Sequence, residues 1–161
     1  MEQLNKAFDF AAGEVLLVDK PYTWTSFDVV RKISNAIKPL RVKVGHAGTL
    51  DPLATGLLVV CTGRFTKRIA EFQAQEKEYT GTITLGATTP SYDLEREIDQ
   101  RFDVSGITDE QIRETAASFI GEIEQVPPAH SAVKMGGERV YEKARRGESV
   151  AVSPRTVHIH A

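Results

Sequence analysis

The chain has 161 residues, 41% of them hydrophobic and 26% charged, which suits one globular domain with a real core. No apolar run approaches the roughly 18 residues that span a bilayer, and residues 1–6 lack the basic and apolar regions of a signal peptide, so a cytoplasmic protein is expected. A single cysteine, Cys61, excludes an internal disulfide framework, and with only four scattered histidines the chain offers little to zinc.

Residues 14–19 (EVLLVD) read as a short buried strand that stops at Lys20-Pro21. Thr25-Ser26-Phe27-Asp28 then offers N-cap residues with an acid in the first turn, and Val30, Ile33 and Ile37 follow at helical spacing before Pro39. The loop of residues 45–56, GHAGTLDPLATG, comes next. Residues 57–61 are apolar and suit a core strand, and 66–72 look helical with Ile69 and Phe72 on one face. Residues 79–85 alternate as a strand does. Thr108-Asp109-Glu110-Gln111 resembles a capping box that opens a helix with Ile112, Ala116 and Phe119 inward. Residues 138–146 predict a helix closed by Gly147, and 155–161 begin another strand with nothing after it to pair with. The order is mixed, with too few βαβ units for a doubly wound sheet, so α+β is the expected class. The final strand suggests the N-terminal piece of a longer protein.

The net charge of −2 hides a segregation. Residues 29–70 hold eight basic residues and one acid, Asp51, whereas 71–125 hold four basic and thirteen acidic residues. A segment of net charge +7 around one carboxylate fits a polyanionic partner; a solvated basic helix face fits it as well. The loop is no P-loop, because the Lys-Ser/Thr pair and the full glycine spacing are missing. No serine–histidine pattern near Asp51 points to acyl transfer. An aspartyl nucleophile acting on a phosphoryl group or a nucleoside remains open, and an Asp-Pro pair taken alone is usually just a turn. An aspartyl-phosphate enzyme would need further carboxylates for magnesium, and residues 29–70 supply no second acid.

Four stretches carry a resemblance. Residues 44–67, VGHAGTLDPLATGLLVVCTGRFTK, look like the signature of the TruB family of tRNA pseudouridine synthases. Residues 13–28, GEVLLVDKPYTWTSFD, are similar to that family's first motif, and Lys77-Glu78-Tyr79 matches its lysine–any–tyrosine element. Residues 121–147, GEIEQVPPAHSAVKMGGERVYEKARRG, resemble its RNA-clasping insertion, placed here at about 123–150.

The resemblance implies the pseudouridine synthase catalytic fold, a mixed and mainly antiparallel sheet with flanking helices. It implies isomerisation of uridine to pseudouridine at position 55, in the T loop of tRNA, by base flipping, without cofactor or metal. Asp51 is then the catalytic carboxylate. Tyr79 stacks on the flipped uracil, and His46 contacts the displaced loop bases. Lys20 lies near the site and supports Asp51 electrostatically, while Tyr141, Lys143, Arg145 and Arg146 meet phosphates. A non-catalytic RNA-binding module is the alternative.

Two departures stand out. Thr23 occupies a place where the family usually has glycine, so the turn after Pro21 is expected to avoid positive φ or to shift. The family's downstream lysine–glycine–threonine–tyrosine run, the arginine that pairs with the catalytic acid and a C-terminal RNA-binding extension all lie beyond Ala161. The 161-residue chain alone is therefore expected to have little synthase activity, and the sheet edges of a partial domain to favour self-association.

Overall fold

A computed structural model describes residues 8–126, 134–135, 138–139 and 153–160. They fall into two compact units, one running to Gly81 and one from Thr82. The class is the expected α+β, and among the described residues every paired strand is antiparallel.

The first unit is a three-stranded sheet of β1 (Val15–Lys20), β2 (Val44–Ala47) and β3 (Gly56–Thr62), in the order β1-β3-β2. Directly opposed residues of antiparallel strands share a face. The pairs Leu16↔Val60, Val18↔Leu58 and His46↔Val60 therefore put these side chains on one side of the sheet. Helix α1 (Ser26–Ala36) contributes Val29 and Ile33 to the same core, which Val44 and Leu50 complete. Leu58 and Val60 are 1% and 0% exposed, each burial worth about 1.5–3 kcal/mol. On the opposite side Leu17 and Leu57 are exposed. There α2 (Ile69–Gln73) approaches β2 closely: a Cβ on Gly45 would stand 2.9 Å from Ile69 Cδ1. The single thiol, Cys61, is buried on the central strand β3.

Helix α1 starts as its sequence indicates. Thr25 is the N-cap, its hydroxyl accepts from the Asp28 N–H, and the Asp28 carboxylate accepts from the Thr25 N–H. The helix ends at Ala36, and a single 3-10 turn, Lys38–Leu40, takes Pro39 near its start.

Three expectations in this unit need correction. Residues 45–47 are the end of β2, not loop, because pairing with β3 overrides the poor strand propensity of VGHA. The helix expected at 66–72 is α-helical only from Ile69, in the short α2, while 66–68 belong to a 3-10 stretch, Gly63–Arg68. Residues 79–85 alternate but form no strand, since no described segment supplies their ladder hydrogen bonds.

Among its described residues the second unit holds three two-stranded ladders and one longer helix: β4 (Ala87–Thr88) pairs with β5 (Gln100–Arg101) and β6 (Gly121–Gln125) with β9 (Arg155–Ile159), while β7 (Lys134–Met135) pairs with β8 (Glu138–Arg139). Helix α3 (Asp109–Ala117) opens with the expected capping box of Thr108 and Gln111. Its apolar residues do not turn inward: Ile112, Ala116 and Phe119 are exposed. The strand at 155–159 does have a partner, β6, contrary to its expected isolation. The start of the helix expected over 138–146 is instead strand β8, and residues 140–147 lie outside the described residues.

Candidate active-site loop

The connection between β2 and β3, residues 48–55, carries Asp51. It is bracketed by Gly48 at φ +108° and Gly56 at φ +113°, conformations that side-chain-bearing residues rarely adopt. The backbone around Asp51 is held at several points. Before it, the Ser26 hydroxyl donates to the Leu50 carbonyl at 3.0 Å and accepts from the Leu50 N–H at 2.9 Å, while the Leu50 side chain packs against the core. After it, the Pro52 carbonyl accepts from the Thr23 N–H at 2.9 Å and from Lys20 Nζ at 3.3 Å. The Asp51 carbonyl itself accepts from the Ala54 N–H at 3.0 Å, closing a turn.

The carboxylate is exposed and makes no hydrogen bond or ion pair among the described residues. A rigid backbone thus presents an acid that is free to meet a ligand. Pro52 adds to the rigidity by fixing its own φ and restricting Asp51 to extended conformations.

Lys20 is 0% exposed, and its ammonium donates to three backbone carbonyls: Trp24 at 2.5 Å, Pro21 at 3.0 Å and Pro52 at 3.3 Å. Three N–H donors meet three acceptors, so the buried charge is fully hydrogen-bonded. It reaches the loop through the backbone, without an ion pair to Asp51. His46 Nδ1 bonds the Gly48 carbonyl. A carbonyl only accepts, so the proton belongs on Nδ1 and a neutral ring keeps Nε2 as an acceptor.

Thr23 takes φ +69°, so the turn after Pro21 keeps the positive φ that the sequence was expected to avoid. Its N–H bond to Pro52 holds a β-branched residue in that costly region.

Lys20, His46 and Asp51 are thus joined through one loop. Tyr79 is 74% exposed, and no hydrogen bond or ring contact ties it to that loop among the described residues. Tyr141, Lys143, Arg145 and Arg146 lie outside the described residues. Among the described residues no three His, Cys, Asp or Glu side chains gather as a metal site. The role of Ser26 was missed in the sequence, where it read only as a cap candidate. Two adjacent hydroxyls at a helix start were the signal, since one cap needs only one of them.

Comparison with known proteins supplies the family. A family model described as "TruB family pseudouridylate synthase (N terminal domain)" matches residues 32–161. The chain is 54% identical over 157 residues to a tRNA pseudouridine synthase B of Flavobacterium johnsoniae, covering 94% of this chain and 69% of the relative. It is 52% identical over 151 residues to one of Chlorobaculum tepidum, covering 92% of this chain and 63% of that relative. The chain therefore spans about two thirds of the length of these relatives. Its fold is similar to a crystal structure of a Cbf5-Nop10-Gar1 complex, with a TM-score of 0.55, 24% identity, and coverage of 94% of this chain and 35% of that one. The chain belongs to the TruB family of pseudouridine synthases.

Proposed function

We propose that the protein isomerises uridine to pseudouridine at position 55, in the T loop of tRNA, with Asp51 as the catalytic carboxylate. In that reaction the bond from uracil N1 to ribose C1′ breaks, the base turns, and C5 bonds to C1′. C5 loses a proton and N1 gains one, so no redox cofactor is required. The observation that carries the reading is the presentation of Asp51: its carboxylate is exposed and unpaired among the described residues, on a backbone pinned on both sides. Preorganisation of this kind places a reacting group without cost at the moment of reaction.

The charge pattern favours RNA. Asp51 is the one acid among residues 29–70, so the surrounding cations attract phosphates while a lone carboxylate adds little repulsion. His46, half-buried and joined to the loop through the Gly48 carbonyl, fills space left by displaced loop bases. Tyr79 offers an exposed ring to an extruded uracil, a contact worth about 1–3 kcal/mol per stacked base. Tyr141, Lys143, Arg145 and Arg146 contribute phosphate contacts.

The experiment is pseudouridine formation in an unmodified T-arm RNA by the full-length protein, wild type against Asp51→Asn. Loss of product with RNA affinity retained is the expected result. Undiminished product from Asp51→Asn would remove Asp51 from the chemistry, and RNA binding without any product from wild type would leave a binding module.

A further inference from the structure

We infer that Ser26 is a positioning residue for Asp51. This rests on the reading of Asp51 as the catalytic group. Helix α1 needs one hydroxyl for its cap, and Thr25 provides it. Ser26, the first residue inside the helix, has its hydroxyl left over, and it is 3% exposed. Among the described residues it is spent on Leu50 alone, donating to the carbonyl at 3.0 Å and accepting from the N–H at 2.9 Å.

That two-way exchange imitates the pairing one strand residue makes with another, and it is made where β2 has already ended. The Leu50 carbonyl belongs to the peptide group whose nitrogen is that of Asp51. Its orientation therefore sets the direction in which the Asp51 side chain leaves the loop. The grip joins two elements, the start of α1 and the β2–β3 connection, and the core contact of Leu50 closes the same joint from its apolar side. Alanine at position 26 leaves the helix its cap and leaves Leu50 with a donor and an acceptor unmet in a part-buried site. The peptide then rotates towards water, and Asp51 rotates with it. The exposed surface that meets RNA is untouched, so the effect falls on the chemical step and not on binding.

The test compares wild type, Ser26→Ala, Ser26→Thr and Asp51→Asn in the full-length protein, by single-turnover pseudouridine formation in T-arm RNA and by RNA affinity. Ser26→Ala is expected to slow the single-turnover rate by about 10- to 100-fold, the scale of a misplacement of roughly 1 Å, with RNA affinity unchanged. Ser26→Thr, which keeps the hydroxyl, is expected to recover most of the rate. A wild-type rate in Ser26→Ala, an equal loss in Ser26→Thr, or a parallel loss of RNA affinity would overturn the inference. A second measurement holds even if a variant fails to fold: the Leu50 amide in wild type is expected to resist hydrogen exchange, and rapid exchange there would equally overturn it. Inactive Asp51→Asn beside fully active Ser26→Ala refutes only the role of Ser26, whereas active Asp51→Asn refutes the reading of Asp51 on which that role depends.

Discussion

The ammonium of Lys20 ends on the carbonyl oxygen of Pro52, 32 residues further along the chain, at 3.3 Å. The same nitrogen holds the carbonyls of Pro21 and Trp24, so one buried cation joins the end of β1, the approach to α1 and the residue after Asp51. Lys20→Met keeps the length and removes the donors. It is expected to cost about 2–3 kcal/mol, read as a lower urea midpoint, because three part-buried carbonyls lose a charged partner. Lys20→Arg is expected to restore little, since a planar fork does not fit three convergent acceptors. A midpoint unchanged in Lys20→Met would show that the three bonds contribute no net stability.

Thr23 makes the opposite prediction. A side-chain-bearing residue in the left-handed region costs roughly 1–2 kcal/mol, and glycine relieves that while adding about 0.5–1 kcal/mol of chain entropy. Thr23→Gly is therefore expected to raise stability by about 0.5–1 kcal/mol, visible as a higher urea midpoint. A lower midpoint would mean that the threonine side chain contributes more than its backbone strain removes.

The start of α1 has an acid limit. The hydrogen bond from the Thr25 hydroxyl to the Asp28 carboxylate, then the one from the Thr25 N–H, and the Arg31 guanidinium beside it hold the Asp28 pKa below its ordinary value of 3.8. A carboxyl whose pKa falls on folding adds stability that is fully present above the ordinary value and disappears as pH drops through the folded one. Acidification from neutrality to about pH 3 should therefore weaken wild type more than Asp28→Asn. Equal slopes of unfolding midpoint against pH in the two proteins would show that Asp28 contributes nothing to the acid limb.

The first unit was largely legible in the sequence, for a physical reason. The residues that form β1, α1 and β3 agree in apolar period, cap and turn chemistry, and the folded elements follow those signals. Strand β2 was not legible, because Gly45 and Ala47 carry little strand preference and their pairing comes from β3. Residues 79–85 fail in the other direction, having the pattern of a strand without a described partner. In the site, the residue type of Asp51 and its glycine-rich surroundings could be read directly. The joints to Ser26, Thr23 and Lys20 could not, since they link positions 24 to 32 residues apart and end on the backbone groups of Leu50 and Pro52, whose partners no sequence pattern marks.

Cys61 turns the central strand into its own gauge. The thiol is 0% exposed, and burial pushes its pKa above the ordinary thiol value, so thiolate chemistry at the surface is closed to it. An alkylating reagent reaches this one sulfur only when β3 parts from its neighbours, and the labelling rate then counts those openings. The loop that carries Asp51 runs directly into β3, so the same clock, read with and without RNA, times how firmly a bound substrate closes the sheet beneath the candidate catalytic group.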